Sequence, residues 1–317
     1  MLITIAALLA GLIILTVAAN QFVVGAARVA AHLRLSIVVV GAVVIGFGTS
    51  APELLVSSIA AGRGSLDLGV GNVIGSNVAN MTLVLGLAAI IRPLTVQPGV
   101  LRREAPLSVV SVLLFGIFLQ GGLTRLEGAA MLVTLGAILA VIMNGARTDS
   151  PLAAEVEEFL GTTSTAKLEA ARLVAGLIGT VIGAQILVWG AGRLSDQLGW
   201  SGGFVGFAIV AVGTSLPELA TSVAAVRRDE TDLVIGNLLG SNLFNSLAVG
   251  GVIALVGPGA VGDASLVGAG TLLMIGIAGG AALFMFTGKQ VIRWEGWVLL
   301  GSYGISIIVF SSSGVLA

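Results

Sequence analysis

Cysteine is absent from the 317 residues, histidine occurs once, and charged side chains make up only 10% of the chain. Without cysteine there is no disulfide, thiolate metal site or cysteine nucleophile. A water-facing domain carries roughly 25% charged residues, so a surface this poor in charge excludes a soluble enzyme and a disordered chain. Fifteen basic against sixteen acidic residues leave a net charge of −1, which offers no electrostatic footprint for nucleic acid. No phosphate loop or nucleophile motif is present. What is abundant is apolar: 56% of residues are hydrophobic and mean hydropathy is +1.09. This is the composition of an integral membrane protein.

A hydrocarbon layer of about 30 Å takes about 20 apolar residues in a helix. Ten such runs are predicted, near 2–27, 35–61, 69–91, 104–122, 127–145, 168–192, 202–226, 232–256, 264–286 and 295–313. The first has no positively charged leader or clear cleavage site, which predicts a retained span. Ten spans sort the connections onto two faces. Twelve basic residues fall on one face (Arg28, Arg34, Arg92, Arg102, Arg103, Arg147, Lys167, Arg172, Arg227, Arg228, Lys289, Arg293) and three, Arg63, Arg125 and Arg193, on the other. Because Lys and Arg collect in cytoplasmic loops, both termini are expected outside a cell (inner) membrane. Trp200, Trp294 and Trp297 fall at span ends, where indoles suit the headgroup boundary.

The chain repeats itself. Residues 48–80 align without gaps on 213–245, an offset of 165, with 17 identities in 33 positions. Each half is predicted to hold five spans, 1–145 and 168–317, joined by a cytoplasmic linker over 146–167. An odd number of spans turns the second copy upside-down, and inverted repeats place a binding site between them near the midplane. Duplication that serves only as scaffolding is the plainer alternative.

Two of the sixteen acidic residues, Glu53 and Glu218, stand in mid-span, one in each repeat. An ionisable group at that depth points to function. Pairing with a basic residue is the alternative, but neither span has one in its interior. The flanking sequences are Gly48-Thr49-Ser50-Ala51-Pro52-Glu53 and Gly213-Thr214-Ser215-Leu216-Pro217-Glu218. Proline donates no amide hydrogen and disfavours helix just before it, so each span is expected to break into two half-helices. Backbone carbonyls, as at Thr49 and Thr214, would be freed at the break, with the glutamate opening the second half-helix.

The following spans read Gly71-Asn72-Val73-Ile74-Gly75-Ser76-Asn77-Val78-Ala79-Asn80 and Gly236-Asn237-Leu238-Leu239-Gly240-Ser241-Asn242-Leu243-Phe244-Asn245. On a regular helix Ser76 and Asn80 share a face at i, i+4, as do Ser241 and Asn245. Asn72, Asn77, Asn237 and Asn242 fit either a polar cavity or hydrogen bonds between helices. Together these groups make an all-oxygen cage.

With both motifs present twice, in order, the chain resembles the sodium/calcium exchanger family of the cation/Ca2+ exchanger superfamily, over all ten spans in layout and about 33 residues per half in motif. The resemblance implies an all-α fold of two inverted five-helix repeats and an antiporter that is not an enzyme. It implies no cofactor beyond the transported ions. By position, the central Ca2+ site would use Glu53 and Glu218 with carbonyls near Thr49 and Thr214. Na+ sites would use Ser50, Ser76, Ala211, Ser215 and Ser241, with pseudo-symmetric contributions around Gly46. Asn80 and Asn245 would line the middle, and spans one and six would slide across the rest. Some members of the family carry aspartate where Asn245 stands, so this site has two ionisable groups instead of three.

Hard oxygen ligands in a flexible cage suit Ca2+ better than Mg2+. Two carboxylates balance one Ca2+, two Na+ or two protons. An empty cage would hold two anions in low dielectric, so one ion is expected to replace another: exchange of Ca2+ for Na+, or alternatively for H+. A membrane hydrolase using the two carboxylates as acid and base is a reading from another class. The lone His32 reads as a solvated loop residue, the acidic linker as a solvated loop, and nothing demands more than a monomer.

Overall fold

The computed structural model describes residues 1–33, 49–145 and 165–314. The first part of the predicted second span, with Gly46 and Gly48, and most of the 146–167 linker lie outside the described residues. Helices are α1 (Leu2–His32), α2 (Ala51–Gly62), α3 (Leu66–Ile91), α4 (Glu104–Leu119), α5 (Arg125–Gly145) and α6 (Ala166–Leu198). The second half continues with α7 (Gly202–Thr214), α8 (Leu216–Arg227), α9 (231–256), α10 (Leu266–Gly288) and α11 (Arg293–Gly314). Each falls on a predicted span; α2 is the second part of one, and α7 with α8 form a single span bent by 41°. Among the described residues seven helices are long and apolar enough to cross a membrane, eight with the bent pair. The protein is a multi-pass, all-α membrane protein. Its outer side chains agree, with Leu2, Ile13, Leu272 and Ile308 all more than 60% exposed, an apolar surface that suits lipid.

The connections tie together in two sets. On the face with twelve basic residues, Arg28 pairs with Glu169 at 3.0 Å, Arg92 with Asp229 at 2.7 Å, and β1 (Leu94–Thr95) with β2 (Gln290–Val291). On the other face, Thr4 meets Gln197, Leu123 bridges Gly259, the Gly262 amide donates to Asp67, and Ser201 donates to Asp263. Each tie joins connections that alternating spans put on one face, as a chain crossing back and forth requires.

The repeat reaches beyond its similar residues. On α1 and α6, Gly11 abuts the backbone of Leu187 and Gly176 that of Phe22; Gly25 meets Leu173, Gly183 meets Leu15, and Gly190 meets Leu8. Every pair adds to 198, so the helices run antiparallel. Moreover, 11 and 22 map onto 176 and 187 by the offset of 165, and 25 and 8 onto 190 and 173, so these two contacts each occur twice about a pseudo-twofold axis. That axis passes level with residues 16–17 of α1 and 181–182 of α6, which locates the midplane. Elsewhere, Gly86 meets Gly296 and its equivalent Gly251 meets Gly128, whose own equivalent, Arg293, lies three residues before Gly296.

The long helices are not regular. Five-residue π-helical turns lie at Asn80–Val84 and Asn245–Val249, equivalent by the same offset, with others at Gly206–Val210 and Leu266–Gly270. Such turns collect at functional sites because they re-aim side chains. The i, i+4 face expected for Ser76 with Asn80 and Ser241 with Asn245 therefore ends at the asparagines, where the helix widens.

Candidate cation-binding site

Ser50 and Ser215 have nearly the same backbone, φ −89°, ψ 5° and φ −86°, ψ 6°, just outside the helical region. Each opens the helix that follows, with Pro52 or Pro217 in its first turn. The first amides after the prolines that bond back across the break are those of Leu54, to Ser50, and Leu219, to Ser215, both at 3.1 Å. The amides of Glu53 and Glu218 face their own carboxylates instead. Among the described residues the carbonyls of Thr49 and Thr214 accept no backbone hydrogen bond across the break, as the proline argument requires.

Glu53 and Glu218 are both 0% exposed. They are cross-supported, each by hydroxyls of the opposite half or its neighbouring helix. Ser215 donates to Glu53 Oε1 at 3.3 Å, and Ser241 to Glu218 Oε1 at 3.5 Å. The Thr49 and Ser241 hydroxyls lie 3.2 Å apart. Among the described residues neither carboxylate is ion-paired, although Glu169, the other deeply buried acid of this depth of burial, is paired with Arg28 and Arg172.

Burying a polar atom without a partner costs about 1–3 kcal/mol, more for charged groups. Among the described residues, buried oxygens without a hydrogen-bond partner include Glu53 Oε2, Glu218 Oε2, Ser50 Oγ, Ser76 Oγ, Asn80 Oδ1 and Asn245 Oδ1. All six belong to residues that the sequence nominates as ligands. Carboxylate, hydroxyl and amide oxygens left with unused lone pairs in this way are what a hard cation would satisfy.

Other nominated residues have different work. Asn72 donates to Ser57 at 2.9 Å and accepts from Thr214 at 3.2 Å; Asn77 donates to Ser246 at 3.1 Å. Asn80 donates to Asn242 Oδ1, whose Nδ2 donates to the Asn77 carbonyl, both at 3.2 Å. Asn72, Asn77 and Asn242 therefore join helices, while Asn237 is half-buried with no bond to Ser222, the equivalent of Ser57. The Ala211 carbonyl already accepts from the Ser215 amide at 3.0 Å and the Thr214 hydroxyl at 3.3 Å. To serve an ion it would have to shed Thr214. Gly213 is buried beside Leu12 of α1, and His32 is exposed at the end of α1.

Inverted halves, broken spans and a buried two-carboxylate cage define a secondary antiporter. Residues 3–144 and 168–312 match the sodium/calcium exchanger protein family, and the chain belongs to that family. It is similar to the putative antiporter CaxA of Alkalimonas amylolytica, 37% identical over 98% of this chain and all of that one. It is 29% identical to the sodium/calcium exchanger MaX1 of Methanosarcina acetivorans, over 95% of this chain and 97% of that one. The structure of the sodium-calcium exchanger NCX_Mj matches with a TM-score of 0.65 and 30% identity, covering 97% and 98% of the two chains. These relatives are transporters, and the hydrolase reading falls with them.

Proposed function

We propose that the protein exchanges Ca2+ for Na+ across a cell membrane by alternating access. Glu53 and Glu218 would hold Ca2+ with the Thr49 and Thr214 carbonyls, and Ser50, Ser76, Ser215, Ser241 and Ala211 would help to hold Na+. Asn80 and Asn245 would line the middle. The observation that carries this reading is the pair of fully buried carboxylate oxygens, one from each half, that have no partner among the described residues, together with the Ser50, Ser76, Asn80 and Asn245 oxygens in the same state. Their two negative charges match one Ca2+ or two Na+, and an empty site keeps both anions in low dielectric, which disfavours reorienting unloaded. The halves 1–145 and 168–317 would act as the inverted units, in a monomer.

Vesicles loaded with Na+ are expected to accumulate Ca2+ on dilution into Na+-free buffer, with a proton ionophore leaving uptake unchanged. Uptake that follows a pH gradient and ignores Na+ would replace Na+ by H+ as the coupling ion. The absence of native cysteine makes sidedness easy to test. A single cysteine at Lys289 is expected to react with an impermeant maleimide only from the cytoplasm, and one at Gly121 only from outside; the reverse pattern would invert the proposed orientation.

A further inference from the structure

The seam between α1 and α6 widens into a groove of about 320 Å³, lined by Ala18, Gln21, Arg172, Ala175 and Gly176. Its rim is open, with Val17, Val174 and Ile178 each more than half exposed, so it faces the acyl chains. At 1.5 Å per residue, Ala18 lies about 2 Å and Gln21 about 7 Å from the midplane fixed by the pseudo-twofold axis. Arg172 lies about 14 Å from it on the same reckoning. A hydrocarbon half-layer is about 15 Å deep. The groove thus runs the depth of one leaflet and ends at an arginine at headgroup level, on the face rich in basic residues.

The charges there are unequal. Arg28 and Arg172 share one carboxylate, Glu169, at 3.0 and 3.3 Å, and Lys167 is exposed in the same turn of α6. Arg28 Nε has no partner among the described residues. By the offset of 165 the position equivalent to Arg172 is Ala7, whereas Arg28 maps onto Arg193, so the arginine that lines the groove has no counterpart in the other half.

We propose that this groove binds an anionic phospholipid of that leaflet, with an acyl chain lying along Ala18, Ala175 and Gly176 and its phosphate on Arg172. A basic pocket between spans on the cytoplasmic side suits such headgroups. Apart from Arg172 and Gln21 the lining carries no polar side chain, which favours a lipid over a soluble phosphate. The inference stands on the fold and is independent of which ions are exchanged.

The test uses purified protein in nanodiscs of equal phosphatidylglycerol and phosphatidylcholine, with retained lipid counted by native mass spectrometry after detergent extraction. The wild type is expected to keep phosphatidylglycerol in preference, and Arg172→Gln to lower its retention about fivefold. Ala175→Phe, which fills the groove and leaves Arg172 in place, is expected to lower it as well, and decides the matter if Arg172→Gln folds poorly. Unchanged retention in Ala175→Phe, equal retention of phosphatidylcholine, or inorganic phosphate raising the melting temperature of delipidated protein as much as the lipid does would overturn the proposal.

Discussion

Glu53→Gln and Glu218→Gln are each expected to reduce Ca2+ uptake by more than about a hundredfold, since removing one charge from a buried ion pair costs about 3–5 kcal/mol. Fold should survive. The Oε2 atoms that the amide replaces have no partner among the described residues, and the Ser215 and Ser241 hydroxyls donate to Oε1, which an amide oxygen can replace. The empty protein loses a repulsion, so its melting temperature in detergent should hold or rise while ion binding disappears. Glu169 supplies the contrast. It is equally secluded, at 1% exposure, but Arg28 and Arg172 neutralise it. Glu169→Gln leaves two guanidiniums without their carboxylate and should lower stability, toward the small end of the same range because the arginines are 18% and 32% exposed. Ion binding should be kept. Wild-type exchange in either mid-span variant would end the two-carboxylate account.

Those two glutamates were legible because duplication preserves what chemistry constrains. The Gly-Thr-Ser-x-Pro-Glu and Gly-Asn-x-x-Gly-Ser-Asn-x-x-Asn runs keep every polar, glycine and proline residue, whereas the stretch between them drifts even at Gly62, Gly64 and Gly69. Hydropathy alone found the spans, since a lipid-facing helix has no way to disguise its composition. Less was legible wherever an outcome depends on what lies opposite. Asn72, Asn77 and Asn242 could not be told from cavity residues until Ser57, Ser246 and the Asn77 carbonyl came into reach. The π turns at Asn80 and Asn245 carry no local signature, because an i→i+5 bond differs from a helical one by a single residue of slack. The ion pair of Arg28 with Glu169 joins two span ends 141 residues apart, and each alone reads as an ordinary boundary charge. The α1–α6 seam did leave a trace: Gly11, Ala18 and Gly25 recur at seven residues, as do Gly176, Gly183 and Gly190. Seven residues is nearly two helical turns, so the small residues line one stripe.

That stripe sets the second large effect. A Cβ on Gly176 would stand within the contact distance of the Phe22 backbone amide, and one on Gly183 would stand 2.6 Å from the Leu15 amide. Backbone cannot rotate away as a side chain can. Gly176→Ala must therefore part α1 from α6 along the antiparallel contact, including the pairs about the axis at Gly11 and Leu187. Lipid supplies no hydrophobic force to push them together again, since spans associate through close packing. Overpacking of this kind costs about 1–3 kcal/mol, and Gly176→Val should exceed it. Gly192, on the same helix, meets nothing within 4 Å among the described residues. Gly192→Ala should accordingly be neutral, or stabilise by about 0.5–1 kcal/mol through lost chain freedom. Thermal melting in detergent is expected to fall for Gly176→Ala and to hold or rise for Gly192→Ala. Equal melting would mean that α1 and α6 are not held by backbone contact, and the axis drawn through residues 16–17 and 181–182 would lose its support.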